Sequence, residues 1–522
     1  ELRLVGSEMC IRDRCSAARR NTRACGETDQ IEWRRRQDRS VRCNVTVAAG
    51  ICFGTGVCSL TAKTTGWLAA TGVCLALLST PASADGLLDA FRNAYLTNPS
   101  LEAQRANLRA TDENVNQALA RGRPTVSVSA SAGAGIFQND TQISQTEQGR
   151  TPVSVELRAT QPLYRGGANP AAVEQAEYEV LAARAALLQV EQDVMLAAGQ
   201  AYMNVVRDQA VVDLNKNNES VLRRQLEATR DRFQVGEVTR TDVSQAEARL
   251  ARATADRRSA EGNLASSQAD YEEVVGKPPG FLRQPAALVG LPVSRQEAID
   301  RGTINTPTVI RATFNHLAAA KNVAVAEGDL LPSADLVGRV GYNYETAQED
   351  STSSNAQALV QVTIPLYSSG SVRSRIRQTK QIASQRLIQI EQARRAAIEE
   401  ATVGWEQLVA TQSRIEALSS EVRAQEIALE GVKQEALVGT RTVLDELDAE
   451  QELLNARVNL VQARRDEVVA SHALAAAVGM LAAEPLNLDV PRYDVRLHYQ
   501  AVRSRWLGTD VDSNWQPAKP QQ

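Results

Sequence analysis

The chain has 522 residues, of which 43% are hydrophobic, 23% charged and only 4% aromatic, and its formal net charge is −4. So few aromatics beside long stretches of Ala, Leu, Val, Gln, Glu and Arg exclude a string of rounded cores and fit long packed helices. The charge excludes the basic field that nucleic-acid binding requires. All seven cysteines lie before residue 75, so the rest of the chain has no disulfide framework, thiolate metal site or cysteine nucleophile.

Residues 62–84 read as a secretory signal. Lys63 supplies the positive start, 67–78 is a short apolar run, and Pro81-Ala82-Ser83-Ala84 ends in an Ala-x-Ala pattern before Asp85. The run is too short to span a bilayer as a helix, and Cys74 lies inside it, which argues against a lipoprotein signal. Residues 1–61 differ in composition, with Arg34-Arg35-Arg36 and scattered cysteines, and 5–14 resembles translated adapter sequence. They are expected to be non-native upstream read-through. Residues 1–84 hold 12 Lys and Arg and 7 Asp and Glu, so the remainder carries about −9, as suits a periplasmic exterior.

From residue 85 the chain is a duplication. Gln161-Pro162-Leu163-Tyr164 matches Ile364-Pro365-Leu366-Tyr367, Val235-Gly236 matches Val438-Gly439, and Val275-Gly276 matches Val478-Gly479, each at an offset of 203. Upstream, Pro124 matches Pro332 and Asn98-Pro99 resembles Thr306-Pro307 at an offset of 208, the difference falling between the two prolines of each unit, where a loop absorbs it. The expected units are 85–290 and 291–483, followed by a tail, 484–522. Each unit is expected to hold one helix of three to four dozen residues, two short strands and two long helices.

The strands are predicted at about 124–136, 151–164, 333–345 and 356–367. Val126, Val128 and Ala130 alternate with Ser127 and Ser129; Val153, Val155, Leu157 and Ala159 alternate with Ser154, Glu156, Arg158 and Thr160. Leu336, Val340, Tyr342 and Tyr344 share one face of the third strand, and Ala358, Val360, Val362 and Ile364 one face of the fourth. Period two with one apolar face marks half-buried strands. At about ten residues each, they have the length of tilted transmembrane strands. The polar stretches 137–150 and 346–355 read as exposed hairpin loops. Four strands cannot close a barrel, and open edges are not tolerated in lipid. If these strands span a membrane, several chains must share one barrel.

The stretch 167–235 has no proline after Pro170 and is predicted to be a helix roughly 100 Å long at ~1.5 Å per residue. Apolar residues recur every seven positions at Val180, Leu187, Val194 and Ala201, then at Leu214, Val221, Ala228 and Val235. In the second unit they fall at Leu408, Ile415, Val422, Leu429 and Ala436. Gly236 and Gly439 punctuate two helical hairpins, with Thr or Asp shortly after to cap the returning helix. The first turn contains Thr239, Thr241 and Asp242. The second contains Thr440, Arg441, Asp445 and Asp448, the two aspartates three apart on one helix face.

The signal, the duplicated unit, the Pro-Leu-Tyr strand ends and Gly439-Thr440-Arg441-Thr442-Val443-Leu444-Asp445-Glu446-Leu447-Asp448-Ala449 resemble TolC-type outer-membrane channels over about 85–482. The resemblance implies a mainly α fold with a small β part: a trimer whose twelve strands form one outer-membrane barrel, continued by a periplasmic tunnel of coiled-coil helices. It implies outer-membrane lipid, a periplasmic adaptor and an inner-membrane ABC or RND transporter as partners. It also implies gating roles. Arg441 ties to Asp242 and Thr241 of a neighbouring hairpin, and Asp445 and Asp448 ring the constriction. Gly236, Thr239, Gly439 and Thr440 form the turns an adaptor meets. A Tyr of the family's closing network is replaced here by Ala436, which implies a looser gate. The tail segments Tyr493-Asp494, His498-Tyr499 and Arg505-Trp506-Leu507-Gly508 resemble those of members serving type I protein secretion.

The expected function is a passive exit duct for secreted protein, small molecules or both. No phosphate-binding Gly-Lys-Ser/Thr motif or nucleophile–base set suggests an enzyme. The three histidines, His316, His472 and His498, are too scattered for a metal cluster, and no cofactor is expected. The alternative is a periplasmic coiled-coil adaptor or scaffold with no pore of its own.

Overall fold

The computed structural model describes residues 86–141 and 144–510, without the side chains of 139–148; the signal, the upstream segment, every cysteine and the last twelve residues lie outside them. The first unit runs α1 (Leu87–Thr97), α2 (Pro99–Ala120), β1 (Thr125–Ala132), β2 (Gly135–Thr141), β3 (Ser144–Arg150), β4 (Val153–Arg165), α3 (Ala168–Gln234) and α4 (Arg240–Val275). The second runs α5 (Arg295–Asn305), α6 (Pro307–Gly328), β5 (Ser333–Tyr344), β6 (Thr352–Thr363), α7 (Ser371–Leu437) and α8 (Val443–Ala477); the short α9 (Leu497–Arg503) follows. The duplication extends to length, since α3 and α7 each have 67 residues and α2 and α6 each have 22.

The single helix expected at the head of each unit is two helices. Asn98 and Thr306 each have φ −67°, with ψ 123° and 126°, the extended geometry that the residue before a proline is driven into, and Pro99 and Pro307 then start the next helix. The break has a use. Thr97 Oγ1 and Asn98 Nδ2 donate to the carbonyls of Val275 and Val274, both at 3.1 Å, and Thr306 Oγ1 donates to that of Ala477 at 3.0 Å. In both units the broken helix therefore satisfies the orphan carbonyls at the end of the returning helix.

The buried seam of α3 keeps a strict seven-residue phase through Val180, Leu187, Val194, Ala201, Asp208, Asn215, Leu222 and Thr229. The lower apolar series expected from sequence, Leu214, Val221, Ala228 and Val235, lies one residue off this seam and is half-buried or exposed. The seam stays in phase because its lower part is polar and paired. Buried Asp208 accepts from Arg207 at 2.7 and 2.9 Å and from Ser267 of α4, while Glu219 accepts from Arg257 and from Thr254 at 3.1 Å. Charge-assisted rungs of this kind substitute for apolar burial. Opposite runs Ala246, Ala253, Ala260 and Ser267 of α4; α8 repeats the spacing with Ala456, Ala463, Ala470 and Ala477. Small residues at these heptad positions let the helix axes approach closely.

The main core lies where α1, the middle of α3 and the end of α8 converge around Phe91, Leu101, Met195, Tyr202, Met203 and Leu481. The tail is packed onto α2 and α3. Tyr499 joins Val115, Ala118, Ala176 and Val180, His498 Nδ1 lies 3.0 Å from buried Asp112, and Arg123 donates to the Arg505 carbonyl at 3.0 Å. Among the described residues, no helix is long and apolar enough to cross a membrane.

Candidate functional site

The four long strands form one antiparallel sheet in the order β1-β4-β5-β6. Its register aligns the apolar positions of all four. Val128 stands across from Leu157, Leu157 from Val340, and Leu336 from Val360; Val126, Val155, Tyr342 and Val362 continue the same face. Among the described residues nothing covers these side chains; Val126, Val128 and Val360 are 68%, 67% and 60% exposed. The opposite face carries Ser127, Ser129, Ser131, Glu156, Arg158, Arg339, Asn355 and Gln357. One face apolar but for Gln161, Thr352 and Ser354 at its ends, beside a face that is polar but for Val337 and Leu359, over strands of 8 to 13 residues, is the pattern of a barrel wall with lipid outside and water inside. Strands β1 and β6 each have one edge unpaired among the described residues.

One expected loop is different. Within 137–150, predicted as an exposed loop, β2 and β3 pair in register from Gly135 opposite Arg150 to Thr141 opposite Ser144. Backbone ladders form between polar strands as readily as between apolar ones, and the alternation test is blind to them. Arg150 anchors the base of this extension, donating to the Ala347 carbonyl at 2.6 Å across to the second unit.

At the far end of the long helices the two turns are copies. Glu237 donates to the Arg232 carbonyl and Gly236 to that of Phe233; Thr440 donates to Glu435 and Gly439 to Ala436. Both are Schellman motifs around a glycine, with φ +81° at Gly236 and +79° at Gly439, where a side chain is strained. Three residues later Thr239 and Thr442 cap α4 and α8. Each exchanges hydrogen bonds with the aspartate three positions on, Asp242 or Asp445, in a capping box. Thr442 holds the Asp445 carboxyl below the usual carboxylate range by hydrogen bonding to it.

Asp242 and Asp445 are thus equivalent residues of the duplication with the same local task, and Thr241 is exposed beside the first. Within the chain Arg441 does not meet Asp242. It reaches back 2.9 Å to Glu435 of its own hairpin, and this hydrogen bond raises its pKa further. Nor do Asp445 and Asp448 act as a pair, since Asp448 binds Arg249 of the first hairpin. Around that contact Gln225 donates to Glu446 at 2.9 Å, and Leu447 is buried among Leu222, Ala253 and Leu250. Arg249, Gln225, Glu446 and Leu447 were not singled out from sequence. Arg249 could have been, because it follows Asp242 by seven residues and so shares its helix face.

The family profile described as outer membrane efflux protein matches residues 91–277 and 298–480, the two copies of the duplication. The outer membrane efflux protein BepC of Brucella suis is 33% identical over 428 residues, covering 82% of this chain and 92% of the relative. The chain belongs to the outer membrane efflux protein family. The outer membrane protein TolC of Vibrio cholerae is 26% identical over 80% of this chain and 95% of its own length. In structure, VceC of Vibrio cholerae superposes with a TM-score of 0.65 at 21% identity, over 75% of this chain and 96% of its own, and so shares the fold. As a member of the outer membrane efflux family, the protein is an outer-membrane channel whose helical hairpins lie in the periplasm. A pore-free scaffold would leave the continuous apolar sheet face without a partner.

Proposed function

We propose that three copies of this chain close one barrel of twelve strands, β6 of each pairing with β1 of the next, and that the hairpins of the three copies continue it as a periplasmic tunnel. The observation that carries this reading is the open four-stranded sheet with a continuous apolar face. In lipid its two bare edges leave backbone groups unsatisfied at several kcal/mol each, and only neighbouring copies of the same strands supply partners of matching length. The duct is passive: cargo is handed over at the periplasmic tip by an inner-membrane transporter of ABC or RND type and its adaptor, and secreted protein and small molecules both fit this role.

At the tip, Thr241, Asp242, Arg441, Asp445 and Asp448 make up the gate, and the turns at Gly236, Thr239, Gly439 and Thr440 receive the adaptor. The Arg441–Glu435 pair is half-exposed on both sides, and such pairs contribute about 0–1 kcal/mol. Arg441 can therefore exchange Glu435 for Asp242 of a neighbouring copy at little cost.

The test is extraction from outer membranes followed by native mass measurement and planar-bilayer recording. A trimer that conducts is expected. A soluble periplasmic monomer would overturn the reading.

A further inference from the structure

The polar face of the sheet carries one local concentration of positive charge. Arg158 of β4 stands directly across from Arg339 of β5. The outer neighbours at this level are uncharged, with Ser127 of β1 across from Arg158 and Gln357 of β6 across from Arg339. Directly opposed residues hold their Cβ atoms about 5 Å apart, and like charges in that position destabilise a sheet. Lower on the same two strands the opposite solution is used, where Arg165 pairs with Asp335 at 3.0 Å. Arg158 and Arg339 have no ion-pair partner among the described residues, and Arg339 Nε is buried without a hydrogen bond. The nearest carboxylate on this face, Glu156, lies across from Gly341 and forms no ion pair among the described residues.

Two repelling guanidinium groups with an unspent donor are a poor device for building a sheet and a good one for holding an oxyanion. The planar fork of Arg matches carboxylate, phosphate and sulfate groups, and rings of Arg favour anions in pores. The geometry points to an oxyanion transit site on the inner wall of the barrel, formed by Arg158 and Arg339. This rests on the trimeric reading, in which six guanidinium groups stand at one height against three Glu156 carboxylates. The tip, by contrast, carries the aspartates. Cargo with an anionic group thus meets its attractive field inside the barrel, on the exit side.

The experiment adds inorganic tripolyphosphate to the barrel side of the full-length protein in a planar bilayer and measures block of the ionic current. The intact channel is expected to be blocked reversibly. In Arg158→Gln/Arg339→Gln the block weakens about tenfold, the scale of losing charge-assisted contacts, while Arg158→Lys/Arg339→Lys keeps most of it. Should the double Gln variant fail to assemble, Arg158→Gln alone, at the exposed position, gives the same readout. Block unchanged in the Gln variants, or absent from an intact conducting channel, overturns the site. Absence of any conducting trimer overturns the channel reading instead.

Discussion

Arg249 of α4 and Asp448 of α8 form the ion pair that ties the first helical hairpin to the second near their tips, and among the described residues it is the only ion pair between the two hairpins. The tie lies within one chain. It sits over buried Leu447 and beside the Gln225–Glu446 hydrogen bond, so three kinds of contact converge on one turn of α8.

Asp448→Asn or Arg249→Ala should therefore loosen the tip. A partly exposed pair of this kind contributes up to about 1 kcal/mol, which corresponds to a two- to fivefold rise in the open fraction. Single-channel recording reads it. The exchange Arg249→Asp/Asp448→Arg should return the conductance toward that of the unaltered protein, and a charge-swapped channel as open as the single variants would rule out the tie.

The caps give a second expectation. Thr239→Ala and Thr442→Ala each remove a capping box, at about 1 kcal/mol apiece. Because the two turns share no hydrogen bond, the losses should add. Hydrogen exchange at the amides of Asp242 and Asp445 measures each turn separately.

Gly276 and Gly479 occupy the ends of α4 and α8 with φ +79° and +77°, and a Cβ there would stand 2.5 Å from Thr97 Oγ1 or 2.8 Å from the Asn305 carbonyl. Gly276→Ala and Gly479→Ala should each cost roughly 1–3 kcal/mol through left-handed strain plus the clash. The Gly479 variant is expected to lose more, because its neighbour is backbone. Denaturant midpoints of the purified protein test this.

His472 is 1% exposed beside Phe91, its Nδ1 sits 2.6 Å from the Val468 carbonyl, and its Nε2 has no partner. Burial pushes its pKa below the ordinary histidine value. The unfolded chain then binds the proton more readily than the folded one, so stability is complete above the ordinary value and falls as pH drops below about 6.5. The melting temperature should decline from pH 7 to pH 5, and His472→Leu should flatten that decline.

The duplication was legible because Pro and Gly stand at fixed offsets that helical repeats alone do not generate. The apolar strand faces were legible because period two survives in Val126–Val128 and Val153–Val155–Leu157. The β2–β3 ladder was not, since its pairing is carried by backbone and leaves no hydrophobic trace. The lower seam of α3 was misplaced by one residue because the chain buries Asp208, Asn215 and Thr229 there, and a search for apolar residues passes over them. At the tip, the turns were readable from local rules, whereas the partners of Arg441 and Asp448 depended on how two distant hairpins lie side by side, which spacing along one helix does not encode.

The unpaired edges of β1 and β6 also bear on supply. A solitary copy in the bilayer has two rows of unsatisfied amides, so on the proposed trimeric arrangement the monomeric intermediate is scarce and the productive encounter needs three chains together. The number of finished ducts should then fall more steeply than the number of chains made. A modest loss of expression or export would remove transport capacity out of proportion, and a defective copy that retained its strands would spoil the sound copies it joined.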